Sequence, residues 1–226
     1  MKIAVLGTGM VGRTLAARLA ELGHDVAIGT RDVAATMART GTDAMGNPPF
    51  AEWANAHPEV TPATFAEATA GAELVVNATS GTASLSALES AGREHLAGTV
   101  LLDIANPLDY SQGFPPSLFV GNTDSLAEQI QAAFPEARVV KSLNTMNAFL
   151  MADPRQLAGG DHSVFVSGND ADAKQTVTDL LRSFGHTDII DLGDLSTARG
   201  TESVLPVWVR LYGVLGVPTF QFKVVR

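Results

Sequence analysis

Cysteine is absent from the 226 residues of the chain. No disulfide, thiolate metal site or cysteine nucleophile is possible, and a reducing cytosol is the compartment expected. No apolar run reaches the roughly 18 residues of a membrane helix, so no membrane span is expected. The chain does not start with a basic segment followed by an apolar stretch, so no secretory leader is expected either. Positive charge is scarce. There are 15 Lys and Arg against 24 Asp and Glu, for a net charge of −9. No basic patch stands out to neutralise a phosphate backbone, and a nucleic-acid partner is not expected.

What is present is concentrated in the first twelve residues. Lys2-Ile3-Ala4-Val5-Leu6 is a short apolar run of strand formers, and it leads into Gly7-Thr8-Gly9-Met10-Val11-Gly12. The next stretch has helical spacing, with apolar side chains at 11, 15, 19 and 22 on one face and Gly23 as a stop signal. Strand, G-x-G-x-x-G and helix together form a dinucleotide fingerprint. Gly7 permits the tight turn, Gly9 lets backbone approach a pyrophosphate, and Gly12 lets helix and strand pack closely. The helix N–H groups and positive dipole end then face the phosphates. The alternative is a glycine turn that merely reverses the chain.

Asp25 to Gly29 reads as a second strand, and its tip is Thr30-Arg31. About 20 residues past such a glycine turn the strand tip meets the adenosine ribose. A hydroxyl beside a guanidinium suits a 2′-phosphate, because Arg pairs with phosphate through two parallel bonds. NADP(H) is therefore expected over NAD(H). Asp32 is expected to cap a helix from Val33 to Arg39. The alternative for Arg31 is a solvated surface charge.

Residues 40–62 read as a Gly- and Pro-rich loop carrying a helix from Phe50 to Ala56 and a brief strand at Val60-Thr61. Further strands are expected at 73–79, 99–104, 138–141, 162–168 and 187–192. Helices are expected over 84–96, 125–134, with Thr123 or Asp124 as cap, and 171–184. Ser196 reads as the N-cap of a last helix kinked at Pro206 and apolar on nearly every side from Val204 to Leu215, which predicts burial between subunits or over a ligand. The tail from Thr219 alternates, as an edge strand or a pocket-packing segment would. Alternating strands and helices predict an α/β fold: a Rossmann-type doubly wound parallel sheet with a small C-terminal α/β lobe ending in an apolar helix. The division expected is 1–150 as NADP-binding domain and 151–226 as a lobe completing the acceptor pocket and a dimer interface.

Three strand ends fall at the carboxyl edge, where open α/β sheets bind ligands: Thr79-Ser80-Gly81, Ala105-Asn106-Pro107 and Asn144-Thr145-Met146-Asn147. Their small and amide side chains suit a nicotinamide and its ribose. The alternative is that each Asn fixes only its own turn. No general acid stands out. Tyr110 and Tyr212 lack a Lys four positions on, which removes a Tyr-x-x-x-Lys proton donor. The five histidines lie at helix ends and loops without metal spacing. Hydride transfer to a flavin-like ring needs no such acid, only stacking of the two rings. Two readings stay open beside it: an imine or carbonyl reductase with Asp103, Asp109 or Glu202 as acid, and a non-catalytic NADP(H)-binding regulatory protein.

Taken together, Gly7 to Gly12, Gly29-Thr30-Arg31, Asp103 to Pro107, Val140 to Thr145 and Asp191 to Arg199 resemble the coenzyme F420-dependent NADP oxidoreductase family. The resemblance runs over nearly the whole chain. The same segments are similar to the oxidoreductase domain of membrane metalloreductases, which use NADPH and a flavin. The resemblance implies hydride transfer between NADP(H) and a small-molecule acceptor, coenzyme F420 or a flavin. It implies that Thr8, Gly9, Met10 and Val11 meet the pyrophosphate and that Thr30 and Arg31 meet the 2′-phosphate. The strand ends at Thr79, Ser80, Asn106, Pro107, Asn144 and Thr145 would surround the stacked rings. It also implies a homodimer.

Overall fold

The computed structural model describes residues 1–42 and 46–226; positions 43–45 of the loop expected at 40–62 lie outside the described residues. The chain runs β1 (Lys2–Leu6), α1 (Met10–Glu21), β2 (Asp25–Thr30), α2 (Val33–Met37), α3 (Phe50–Ala56), β3 (Val60–Thr64), α4 (Phe65–Thr69), β4 (Leu74–Asn77), α5 (Gly81–Ala91), α6 (Arg93–Leu96) and β5 (Val100–Asp103). There follow β6 (Leu108–Asp109), β7 (Ser117–Leu118), α7 (Leu126–Ala133), β8 (Arg138–Ser142), α8 (Ala148–Ala152), β9 (Ser163–Gly168), α9 (Ala171–Phe184), β10 (Asp188–Gly193), α10 (Ala198–Ser203) and α11 (Leu205–Leu215).

Eight strands form one sheet in the order β10-β9-β8-β5-β4-β1-β2-β3, while β6 and β7 form a separate hairpin. The central strands are apolar at nearly every position because both faces are covered. Alternate side chains go to opposite sides. Ile3, Val5, Val76, Leu102 and Val140 join Leu15 and Leu19 of α1 and Leu181 and Phe184 of α9 on one face. Ala4, Leu6, Val75, Leu101 and Val139 join Leu88 of α5 and Ile130 of α7 on the other. Truncating a fully buried leucine such as Leu19 would cost about 2–5 kcal/mol.

Every neighbouring pair is parallel except β8 and β9, which are antiparallel. The sheet is thus mostly parallel, as the Rossmann-type reading expects, with one reversed strand pair where the C-terminal segment joins it. Between β8 and β9 there is no long crossover helix, only α8 and two 3-10 turns, and the chain re-enters the sheet reversed. The α9 crossover then makes β10 parallel to β9. The sheet is continuous across residue 150.

Several boundaries also move. The helix expected over 84–96 starts at Gly81 and breaks at Gly92, whose φ of +94° ends α5. The cap of α7 is Ser125, which accepts from the Glu128 N–H, rather than Thr123 or Asp124. The last helix is two, with Pro206 in the first turn of α11, where a missing N–H costs nothing. In the single chain only Leu205 and Val209 of α11 are buried. The tail forms no edge strand; it is tethered instead, with the Ser163 N–H donating to the Phe222 carbonyl and Val224 N–H to the Ser163 hydroxyl. Helix α4 escaped the sequence reading, although its capping box, Thr64 with Glu67, is written in the chain.

Candidate functional site

Six parallel strands end at one edge, and the glycine turn opens there. Gly7 adopts φ +113°, and a Cβ on it would lie 2.6 Å from the Ala78 carbonyl oxygen. A Cβ on Gly12 would lie 1.9 Å from the Gly7 carbonyl oxygen, so the first turn of α1 rests directly on the loop. Gly9 differs: a Cβ there would meet no protein atom within 4 Å. Gly9 is also the N-cap of α1, and no side chain caps that end. The turn therefore presents bare backbone and unpaired helix N–H groups to an empty space, a cradle that suits a diphosphate.

That space is a cleft of about 470 Å³. Gly7, Thr8, Gly9, Thr30, Arg31, Thr79 and Ser80 line it, as do Phe65, Arg39 and the Ala83, Ser86, Ala87 and Ser90 face of α5. Seven of the fourteen residues picked from sequence thus come together. The other seven do not line the cleft. Val11 packs against the core and Gly12 is buried beneath the loop. Met10 begins α1. Pro107 and Thr145 are buried.

Asn106 and Asn144 lie just behind the rim. Asn144 Nδ2 donates to Asn106 Oδ1 at 3.0 Å, and Asn106 Nδ2 returns a bond to the Asn144 carbonyl at 2.9 Å. Asn144 also donates to the Thr201 carbonyl in α10 at 3.1 Å. Leu143, buried and at φ +62°, supplies the left-handed turn that precedes Asn144; such a turn costs a non-glycine residue on the order of 1 kcal/mol. The two amides fix the ends of β5 and β8 against each other. A Cβ on Gly81 would lie 2.1 Å from the Asn106 carbonyl oxygen, so the start of α5 is pressed against the same strand end.

A buried polar chain leads inward from the cleft wall. Thr79 donates to Asn77 Oδ1 at 2.7 Å, and Asn77 Nδ2 donates to Asp103 Oδ1 at 2.8 Å. Asp103 Oδ2 and Glu202 Oε1 each lie 2.8 Å from Lys141 Nζ, which also donates to the Ala105 carbonyl. Burial alone would pull the Lys141 ammonium down; the carboxylates of Asp103 and Glu202 more than offset it and hold its pKa above the ordinary value. Asp103 and Glu202 are thus committed to the lysine. Asp109 sits outside the cleft, its pKa lowered by hydrogen bonds from Ser111.

The arginines near the motif divide into two kinds. Arg13 is turned onto its own loop, with Nε donating to the Thr8 carbonyl at 2.7 Å and Nη1 to the Pro48 carbonyl at 2.6 Å. It stiffens the turn. Arg31 and Arg39 face the cleft. Asp32 is occupied as the cap of α2, accepting from the Ala35 N–H at 2.8 Å.

Each of the five histidines has a structural partner: the N-terminal amine for His24, and backbone carbonyls of Trp53, Ala91, Pro154 and Met151 for His57, His95, His162 and His186. Among the described residues no cluster of three or more His, Cys, Asp or Glu could hold a metal, and no helix is long and apolar enough to cross a membrane. Sequence reading missed Arg39, Phe65 and the α5 face. The positions 83, 86, 87 and 90 carry the helical spacing that marks one face, but nothing local says that this face turns to the cleft rather than to solvent.

Comparison with known proteins agrees with this geometry. Residues 2–107 match the family model described as NADP oxidoreductase, coenzyme F420-dependent. The F420-dependent NADP reductase of Methanothermobacter marburgensis is 31% identical over 218 residues, covering 93% of this chain and 92% of that protein. The rat metalloreductase STEAP3 is 30% identical over 212 residues; these are 92% of this chain but 38% of STEAP3. A crystal structure of a proposed F420-dependent NADP-reductase from Arthrobacter sp. FB24 superposes with a TM-score of 0.96 at 64% identity over the whole of both chains. A glycine cradle at the carboxyl edge, an arginine at the β2 tip and full-length similarity to an NADP reductase place this chain in the coenzyme F420-dependent NADP oxidoreductase family, a family of NADP-dependent oxidoreductases.

Proposed function

We propose that the chain binds NADP(H) along the cleft and transfers hydride between the nicotinamide and a planar ring acceptor, coenzyme F420 or a flavin. The backbone of Thr8 and Gly9 and the uncapped start of α1 would hold the diphosphate, with Arg31 on the 2′-phosphate. Thr79 and Ser80 would border the nicotinamide end. The bound dinucleotide supplies or accepts a hydride at its nicotinamide ring. Asn106, Asn144 and the Lys141 cluster hold the strand ends, and so the ring plane, without touching the reacting atoms.

One observation carries the choice of acceptor. The described residues lining the cleft include no Asp, Glu, His, Lys or Tyr. A carbonyl or imine needs a proton delivered as hydride arrives; a deazaflavin or flavin ring does not. Asp103 and Glu202, which would have served as acids, are buried in the lysine cluster. The name of the Methanothermobacter marburgensis relative agrees with F420.

Residues 151–226 would complete the acceptor side and pair the subunits. Support for pairing is the apolar surface left bare in the single chain at Val207, Val214, Leu215 and Val217. Mixing the purified protein with NADPH and, separately, F420, FMN and FAD, while following the absorbance of both partners, tests the reading. Turnover with one of the three supports it. Saturable NADPH binding without oxidation by any acceptor would make the chain a nucleotide-binding protein instead.

A further inference from the structure

Arg39 stands eight positions beyond Arg31 in sequence, past the end of α2, yet both residues line the same cleft, as do Gly29 and Thr30. The short helix α2 makes this possible. It leaves the β2 tip, turns through five residues and returns the chain towards the cleft. A buried contact fixes its course: the Thr30 and Thr36 hydroxyls lie 2.9 Å apart, and both residues are buried. Asp32 is held at the N-terminus of α2 by the Ala35 N–H. Neither Arg31 nor Arg39 has an ion pair or side-chain hydrogen bond with another described residue. In a chain of net charge −9, two arginines lining one cleft with no acidic residue among its described lining are a concentrated exception.

We propose that Arg39 is the second half of a 2′-phosphate clamp and sets the preference for NADPH over NADH. The inference rests on the NADP(H) reading of the cleft and deepens it. A phosphomonoester carries between one and a half and two negative charges near neutral pH and offers three acceptor oxygens. One arginine pairs with two of those oxygens; a second, coming from another direction, meets the third and the remaining charge. Thr30 acts behind this clamp as a positioning residue, since its hydroxyl staples α2 to β2 and thereby sets where Arg39 emerges.

The test is a binding titration of NADPH and NADH to wild type, Arg31→Gln, Arg39→Gln and the double variant, repeated at two salt concentrations. Arg39→Gln should weaken NADPH about tenfold or more and leave NADH within about twofold, and the NADPH affinity of the variant should fall less steeply with salt. Thr36→Val, which removes the hydroxyl pairing but no charge, should weaken NADPH by a smaller factor and again spare NADH. Unchanged NADPH affinity in Arg39→Gln, or a parallel loss for both nucleotides, with normal wild-type binding, overturns the assignment of Arg39 alone. A wild type that binds neither nucleotide overturns the NADP(H) reading and the clamp with it.

Discussion

Lys141 and Glu202 meet across the carboxyl edge of the sheet with Nζ 2.8 Å from Oε1, and neither side chain reaches solvent. The same carboxylate accepts from the Leu126 N–H at 2.8 Å and the Ala127 N–H at 3.2 Å, so it also satisfies the first turn of α7. Asp103 completes the set from β5. Four separate parts of the chain are thereby locked behind the cleft: β5, β8, α7 and α10. A buried pair of this kind adds little net stability over apolar packing, but losing one partner is expensive because the other charge is stranded.

The expected consequence is an unequal response to substitution. Lys141→Met strands two buried carboxylates and should cost about 3–5 kcal/mol. Glu202→Gln leaves a neutral Lys141–Asp103 pair and keeps a side-chain oxygen for one of the two α7 N–H groups, so it should cost clearly less. Urea unfolding of both variants decides the matter, and a larger loss in Glu202→Gln would show that the capping of α7 outweighs the ion pair.

Acid should weaken the protein through His186. Burial pushes its imidazole down from 6.5 to about 4, helped by neighbouring His162 and opposed by the bond from His186 Nε2 to the Met151 carbonyl. The native state therefore resists a proton that the unfolded chain accepts. Stability from this group is complete above pH 6.5 and drains away as pH falls towards 4. At about 1.4 kcal/mol per pKa unit, roughly 2 kcal/mol should be lost between pH 7 and 4.5. His186→Gln, which keeps a donor for Met151 but cannot titrate, should flatten that part of the profile. Equal slopes in wild type and variant would assign the acid sensitivity to other groups.

What the sequence made legible is whatever is local. The strand runs Ile3 to Leu6 and Val100 to Leu102 are apolar throughout because both faces are buried, and the run itself says so. Asp32 capping α2 could be read from one residue and its neighbours. The reversed direction of β9 could not, because it depends on the path of residues 143–162, which carry no crossover pattern. The site divides in the same way. Gly7 to Gly12 and Arg31 follow from a motif and a spacing. Arg39 and Ser86 reach the cleft only through the packing of α2 and α5, and the mutual clasp of Asn106 and Asn144 joins strand ends that no short-range pattern pairs.

The glycine turn makes a prediction that separates binding from folding. Gly12 has no room: an added Cβ would sit 1.9 Å from the Gly7 carbonyl oxygen, and backbone on backbone cannot yield cheaply. Gly12→Ala should therefore lower thermal stability by several degrees or prevent folding. Gly9 has φ −76°, open to any residue, and no protein atom within 4 Å of an added Cβ. By stability alone Ala is acceptable at position 9, and its melting temperature should stay near that of wild type. Its absent side chain matters only if something else occupies that space. If the diphosphate rests there, the methyl group of Gly9→Ala stands between the phosphate oxygens and the N–H groups of α1, and NADPH affinity should fall about tenfold or more. Thermal melts with and without NADPH read both effects at once. A Gly9→Ala protein that folds and is stabilised by NADPH as strongly as wild type would move the diphosphate off the turn.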